Sequence, residues 1–238
     1  MEVKRTKVLD HGYVDLIQSM PPHPLDVRAN LDWGPGDRAI VNSARGMAPG
    51  ESTDSIDEER KLLTNLWRSR RLRPFESVQL QVRMHIPVFV ARQLAHLRFQ
   101  STNEASDSKI PNVFYVPQPD QMLSQCKRGA VCNAEDRRRS MVQHNRECYD
   151  LYDGLLASGL SYESARLVLP VSVYTILHYS MSFFDWTDAV TAQSMAEDRY
   201  ELSQYLDAIR DMFRGIAPCA VKNFECHPLK TDKDRSVE

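Results

Sequence analysis

The chain has 238 residues, of which 42% are hydrophobic and 26% charged, and its formal net charge is −2. This composition is ordinary for a globular protein with one large core, so we expect a single domain over residues 1–238. It excludes a strong field toward nucleic acid or a membrane surface, and the sequence has neither an apolar run of membrane-span length nor a signal peptide, so we expect a cytoplasmic protein.

The N-terminal third alternates between short regular segments and loops. Residues 2–18 read as a strand or extended start followed by a short amphipathic piece with Val14, Leu16 and Ile17. Residues 20–55 are rich in proline, glycine and serine, and we expect loops there, with regular structure returning over 39–44. A helix follows, because Asp54 or Ser55 can cap it and apolar residues then recur at helical spacing.

An arginine run closes that helix at Arg68, Arg70, Arg71 and Arg73. Two interpretations stay open. The run can be favourable positive charge at a helix C-terminus. It can also bind an anion.

Residues 77–109 carry the strongest local signals. Residues 77–86 alternate strictly between polar and apolar side chains, which predicts a half-buried strand that Pro87 ends. From Val88 the apolar period becomes helical. After Arg98 the chain is almost entirely polar, and such a loop is where a ligand can be met.

The C-terminal half predicts helices. One helix spans 137–158, with Gly159 as its C-cap, and a short one spans 162–169 before Pro170. A last long helix is capped by Asp185 or Thr187 and continues through Leu202, Leu206, Ile209 and Phe213. We expect 225–238 to be a mobile, charged tail.

Five cysteines are odd in number and form no CxxC pair, which indicates reduced structural thiols. Cys226-His227 is an alternative nucleophile or metal pair, but it lies in the polar tail, and we predict no metal site. Pro218-Cys219 superficially resembles the nucleophile motif of the common thymidylate synthases, but its surroundings do not match.

The polar loop resembles the hallmark of the flavin-dependent thymidylate synthases. That hallmark is Arg-His-Arg, two residues, Ser, one residue, Asn-Glu, one residue, Ser, one residue, Arg. The matching positions here are His96, Leu97, Arg98, Ser101, Asn103, Glu104, Ser106 and Ser108. Segments at 8–12, 74–76, 87–93, 114–117 and 166–170 also resemble the family, with 20–55 as an insertion.

The resemblance implies an α+β fold, with a mixed or antiparallel sheet flanked by helices. It implies methylation of uridylate at C5, with FAD as cofactor, methylenetetrahydrofolate as one-carbon donor and NADPH as reductant. The protein would then position these groups while the flavin carries the redox chemistry. It also implies a homotetramer whose active sites lie between subunits.

The resemblance also assigns roles to individual residues. Arg98 and Ser106 are the implied catalytic residues, and Ser106 need only orient or polarise the base. The implied flavin contacts are His96, Arg98, Ser101 and Glu104. The implied nucleotide contacts are Gln93, Glu104, Ser106, Ser108, Lys109, Arg166 and Gln193. Each also has a local explanation, such as a backbone hydrogen bond or a surface ion pair.

Some positions depart from the family pattern. Ser108 replaces a phosphate-binding arginine, which Lys109 could compensate, and Leu97 replaces a histidine. The stretch with Ser182, Phe184, Asp188, Gln193 and Glu197 usually has more flavin and nucleotide contacts. Three outcomes are open: a thymidylate synthase, a methylase for UMP or dUMP of a nucleoside-antibiotic pathway, or an inactive or regulatory binding homologue.

Overall fold

The computed structural model describes residues 5–22, 32–48, 55–94, 100–103, 109–125, 133–194 and 200–228; for 100–103 and 194 only the backbone is described. The architecture is α+β, as expected. Five antiparallel strands form one sheet in the order β1-β2-β3-β5-β4. The strands are β1 (Arg5–Val8), β2 (Gly12–Met20), β3 (Gln79–Pro87), β4 (Gln100–Asn103) and β5 (Tyr174–Ser182).

The helices lie around this sheet. They are α1 (Pro35–Arg45), α2 (Ile56–Arg68), α3 (Val88–Leu94), α4 (Pro119–Gln125), α5 (Ala134–Ala157), α6 (Tyr162–Ala165), α7 (Phe183–Ser194), α8 (Tyr200–Ile216) and α9 (Pro218–Cys226), with 3-10 segments at Arg73–Ser77 and Arg166–Val168. Within the described ranges, no helix is both long and apolar enough to cross a membrane.

Strand β3 confirms the alternating pattern. Its apolar residues Leu80, Val82, Met84 and Ile86 are buried, and it pairs with β2 on one side and β5 on the other. The ladder reaches Pro87, opposite Tyr174, and stops there because proline has no N–H to donate.

The expected amphipathic piece at 14–17 is wrong, since these residues belong to β2. Val14 and Leu16 pair with Met84 and Val82, and the register shifts between Leu16 and Gln18, which puts Ile17 at an irregularity. The turn before β2 needs Gly12, because a Cβ there would lie 2.2 Å from the Tyr205 hydroxyl and 2.6 Å from the Val8 carbonyl.

Most helix predictions are confirmed. Ser55 caps α2 by accepting from the Glu58 N–H, and α5 and α6 occupy the predicted stretches. Helix α1 begins at Pro35, earlier than the expected return to regular structure. Whether 20–55 is an insertion stays a prediction.

Two C-terminal predictions are wrong. The single long helix is two helices that pack together, since the Trp186 indole of α7 donates to the Leu206 carbonyl of α8 at 3.0 Å. Residues twenty apart on one continuous helix would be about 30 Å apart. The tail prediction fails at its start, because α9 includes Glu225 and Cys226; residues 229–238 lie outside the described part.

The core lies between one sheet face and the helices α1, α2, α7, α8 and α9. Large aromatic side chains fill it, namely Trp67, Phe75, Phe183, Trp186 and Phe213. A second, smaller cluster of Tyr149, Tyr152 and Ala165 packs under α5 and α6.

Asp37 joins the start of α1 to the start of α9. Its carboxylate is fully buried and accepts from the N–H groups of Gly34 (2.9 Å), Cys219 (3.1 Å) and Ala220 (2.9 Å). Burial raises the pKa of Asp37 to about 7, against the lowering effect of these three donors. Asp37 thus satisfies helix-terminal N–H groups that would otherwise be buried without partners.

We expect Asp37→Ala to lower the free energy of unfolding by about 2–4 kcal/mol, because buried donors lose their acceptor. Urea unfolding at pH 8 measures this. Asp57→Ala, at an exposed position of α2, is the control and should change it by less than about 0.5 kcal/mol.

The same site predicts a pH dependence. The folded pKa of Asp37 lies above the unfolded value of about 3.9, so between these values the folded state holds the extra proton and wild-type stability falls as pH rises. Relative to Asp37→Asn, wild-type stability should therefore fall from pH 5 to pH 7. A constant difference would contradict the raised pKa.

Candidate functional site

The polar motif at residues 96–108 includes the edge strand β4 in its middle. This strand is four residues, about 10 Å, long, and it pairs with β5 from Gln100 opposite Ser180 to Asn103 opposite Leu177. The predicted flavin residues His96 and Arg98 precede β4, and Glu104, Ser106 and Ser108 follow it; all five lie outside the described residues. The two halves of the motif therefore join opposite ends of one short strand.

Two predicted residues lie on described elements next to these segments. Ser101 is in β4, in register with Tyr179 of β5. Gln93 is in α3 and half-buried, and its Oε1 atom is buried with no hydrogen-bond partner among the described residues. An amide oxygen in this state is an acceptor available to a ligand N–H.

Lys109 is held against α5. Its ammonium lies 2.9 Å from the Asp153 carboxylate and 5.9 Å from the Tyr149 ring centroid. The hydrogen bond from Lys109 to Asp153 raises the pKa of the lysine. The next residue, Ile110, receives a hydrogen bond at its carbonyl from Tyr149 and donates its N–H to the Tyr152 hydroxyl.

Arg166 lies near the same helix cluster. It begins the 3-10 segment after α6, and Val168 and Leu169 pack on the cluster of Tyr149, Tyr152 and Ala165. A cavity of about 670 Å³ opens between Lys109, Asp153, Gly159 and Tyr162, a volume in the range of small-molecule sites. Lys109 and Arg166 thus belong to one structural unit.

Gln193 belongs to another unit. It lies in α7, which begins where β5 ends, whereas Arg166 precedes the start of β5. Strand β5 has nine residues, so its two ends are about 30 Å apart. Helix α7 packs against α8 and the segment Arg73–Ser77. Gln193 therefore follows one end of β5, while the unit that holds Lys109 and Arg166 leads into the other end.

Comparison with known proteins decides the family. The Thy1 family profile, described as thymidylate synthase complementing protein, matches residues 31–219. A flavin-dependent thymidylate synthase of Thermus thermophilus is 32% identical over 231 residues, covering 94% of this chain and 79% of the relative. The chain belongs to the flavin-dependent thymidylate synthase family.

Other relatives agree with this assignment. The flavin-dependent thymidylate synthase of Ruegeria pomeroyi is 28% identical over 236 residues, covering 93% of this chain and 73% of the relative. The crystal structure of the UMP/dUMP methylase PolB from Streptomyces cacaoi, bound with 5-Br dUMP, superposes with a TM-score of 0.77 at 22% identity, over 94% of this chain and 98% of that one. At this identity the likeness shows a shared fold.

The four arginines at 68, 70, 71 and 73 do not all fit the same interpretation, which is either helix C-terminal charge or anion binding. Arg68 lies in the last turn of α2, as the C-terminal charge interpretation requires, and it contacts the His227 ring. Arg70, Arg71 and Arg73 follow the helix and are exposed. For these three, anion binding stays a prediction.

Sequence reasoning missed a polar row across the sheet. The strand register aligns Arg5, Asp15, Arg83, His178 and Thr102. Asp15 is fully buried and accepts from Arg5 at 2.7 Å and Arg83 at 2.8 Å. Burial acts to raise the pKa of Asp15, but the two guanidinium groups outweigh it and leave the pKa below its ordinary value. Alternation predicted the polar face, yet only cross-strand register could reveal these partners.

An aromatic stack continues this face. The Arg5 guanidinium lies 3.9 Å from the Tyr13 ring centroid, Tyr13 stacks on His85 at 5.2 Å, and His85 stacks on Tyr174 at 4.6 Å. Burial lowers the pKa of His85. A neutral His85 can stack between two tyrosines without an additional buried charge.

Cys219 does not have the environment of a nucleophile. Burial, together with the charge of Asp37, raises the pKa of Cys219 to about 11, so the reactive thiolate is scarce. His227 is used structurally, since its carbonyl accepts from the Trp67 indole at 2.8 Å. These contacts favour structural roles for Cys219 and His227.

Proposed function

We propose that the protein is an FAD-dependent uridylate C5-methyltransferase that uses methylenetetrahydrofolate as one-carbon donor and NADPH as reductant. The observation that carries this proposal is family membership, through a match that spans residues 31–219. When bound, FAD would supply the hydride that reduces the transferred methylene to a methyl group.

Exposed arginines in the described part of the chain provide positive charge that suits a flavin cofactor. A flavin dinucleotide carries an anionic diphosphate, and the exposed Arg70, Arg71 and Arg73 lie on the segment that leads into β3. That end of β3 pairs with the end of β5, because Gln79 is opposite Ser182. Nearer the motif, His96, Arg98, Ser101 and Glu104 are the residues we propose to hold the flavin.

The nucleotide would lie between α3 and the unit of α5 and α6. Gln93 would accept a pyrimidine N–H at its buried Oε1, which has no described partner. Arg166 would hold the phosphate, since a guanidinium can bind it in a bidentate manner. Glu104, Ser106, Ser108, Lys109 and Gln193 complete the proposed nucleotide contacts.

The chemistry requires no protein nucleophile. Ser106 would orient or polarise the uracil ring, and Arg98 would stabilise developing negative charge between flavin and substrate. The raised pKa of Cys219 is consistent with this division of roles.

Purified protein reconstituted with FAD should retain flavin absorbance through gel filtration and methylate dUMP when given methylenetetrahydrofolate and NADPH. Cys219→Ala and Cys226→Ala should keep most of the turnover, whereas Arg98→Ala should remove most of it. Arg137→Ala, at an exposed residue of α5, is the matched control for loss of an arginine.

Two results would oppose this proposal. Loss of activity in folded Cys219→Ala would indicate a cysteine nucleophile. Binding of flavin and nucleotide without turnover would instead favour an inactive or regulatory homologue.

We propose that UMP is accepted as well as dUMP, as a nucleoside-antibiotic pathway would require. Ser108 and Gln193 stand where two arginines are expected, so shorter polar side chains leave room for a 2′-hydroxyl. Each lost charged hydrogen bond weakens phosphate binding by roughly 1.5–3 kcal/mol. Lys109 can compensate only in part, because Asp153 already neutralises it.

Steady-state kinetics with both nucleotides test substrate choice. Lys109→Ala should raise the Michaelis constant for both, and Asp153→Asn should lower it by freeing the ammonium. If dUMP is turned over but UMP is not, even at a saturating concentration of UMP, then Ser108 and Gln193 do not leave room for a 2′-hydroxyl. Unchanged Michaelis constants in Lys109→Ala would exclude the lysine contribution.

We also propose a homotetramer with active sites shared between subunits. Large apolar side chains are exposed beside Arg166, namely Leu160, Tyr162, Leu167 and Val171, and Leu167 is 86% exposed. A second chain covering this patch would bury it and could bring in the Gln193 of another subunit.

Sedimentation velocity should give a mass four times that of the 27.3 kDa chain. Leu167→Asp should dissociate the assembly and reduce turnover together. A tetramer that persists in Leu167→Asp would place the subunit contact elsewhere.

A further inference from the structure

A second polar cavity lies in the helical layer. It measures about 420 Å³ and opens between the start of α1, α2, the end of α8 and α9. Its charged lining consists of Asp32, Arg60, Arg214, Lys222 and Glu225, and the Cys219 thiol also borders it. None of its lining residues is a proposed nucleotide contact, and none lies on α3, the 3-10 segment Arg166–Val168 or α7, which hold Gln93, Arg166 and Gln193.

The cationic side chains of this cavity differ in whether they form ion pairs with carboxylates. Arg214 is neutralised by Glu225 at 2.5 Å and Asp211 at 3.1 Å. In contrast, no ion pair among the described residues involves Arg60 or Lys222. Arg60 acts on the buried Asp37 carboxylate only through its charge, and the Arg60 Nε atom is buried without an acceptor among the described residues. A buried guanidinium N–H without a partner is unfavourable, and a ligand oxygen would satisfy it.

The helix terminus beside the cavity does not itself offer donors. Asp37 already accepts from the Cys219 and Ala220 N–H groups at the start of α9. The attraction for an anion therefore comes from the side chains of Arg60 and Lys222. Both cations act electrostatically on Cys219, in the direction that lowers its pKa, so that thiol can report on events in the cavity.

The Asp32 carboxylate restricts which anions can bind in this cavity. Asp32 lines the cavity without an ion pair in the described part of the chain. It would repel a bare phosphate, but it can accept hydrogen bonds from hydroxyl or amino groups. A ligand that combines a phosphate with such donors satisfies both signs of charge.

We propose that this cavity binds a small phosphorylated metabolite, with Arg60 and Lys222 on the phosphate and Asp32 on hydroxyl or amino groups of the same molecule. The site is separate from the proposed nucleotide site and does not depend on the proposed methyl transfer. Guanidinium and ammonium groups are the usual phosphate ligands among side chains.

Protection of Cys219 from alkylation tests this proposal on the full chain. With iodoacetamide at pH 9, quantified by peptide mass spectrometry, millimolar ribose 5-phosphate should slow Cys219 alkylation at least about threefold. Exposed Cys226 should react at an unchanged rate and serves as the internal control. Inorganic phosphate should protect more weakly, and ribose should not protect.

Variants assign the protection to this cavity. Arg60→Ala and Lys222→Ala should each raise the half-protecting concentration by about tenfold or more, the effect expected for loss of one charge-assisted contact. Lys61→Ala is the matched control, because Lys61 adjoins Arg60 on α2 but does not line the cavity. Arg166→Ala should leave the protection unchanged.

Several results would overturn the proposal. They are an absence of protection at about 10 mM ribose 5-phosphate, a concentration that saturates even a weak millimolar site, equal protection in wild type and Lys222→Ala, or loss of protection in Arg166→Ala. Lys222 is exposed, so its variant decides the question even if Arg60→Ala does not fold. Stronger protection by inorganic phosphate than by ribose 5-phosphate would contradict the role of Asp32.

Discussion

The pairing of β3 with β5 is the constraint on which the rest of the structure depends. Nine residue pairs join the two strands in one uninterrupted antiparallel register. A shift of one residue would turn Leu80, Val82 and Met84 from the helical core to the polar face. The register also fixes where α3 leaves β3 and where α7 leaves β5, and β4 can pair only with the free side of β5. The position of β4, which the motif segments flank in sequence, therefore depends on this ladder.

Local patterns predicted part of this arrangement. Strict alternation over 77–86 was sufficient for β3, and a capping residue at Asp54 or Ser55 was sufficient for the start of α2, where Ser55 is the cap. The last long helix was predicted wrongly because helical spacing is the same on either side of a break, whereas tertiary contacts such as that of Trp186 with Leu206 show that the chain doubles back. The β1-β2 hairpin was missed because its signal is tertiary: Gly12 is required by the Tyr205 hydroxyl, almost two hundred residues away.

The candidate site also combines residues that the sequence could identify with partners that only the tertiary structure shows. Resemblance assigned Gln93, Lys109 and Arg166 to one nucleotide, and the structure shows Lys109 and Arg166 near one helix cluster. The Asp153 partner of Lys109 could not be predicted, since the two residues are distant in sequence and share no periodicity. Asp15 and Asp37 could not be predicted for the same reason. Each buried carboxylate is matched to cations or N–H donors from other elements, and nothing in its local sequence distinguishes it from an exposed aspartate.

The position of β4 at the sheet edge has a consequence for how the site is completed. Among the described strands only β5 pairs with it, so its outer side has no described strand partner. An edge strand with a free side is normally covered or paired, and here it lies in sequence between the two halves of the motif that resembles the family hallmark. Bound ligands, or another subunit, would cover that edge while contacting the residues that flank it. The edge position is therefore consistent with the proposed sharing of the site between subunits, because a contact that covers the strand could also bring in a residue of another chain.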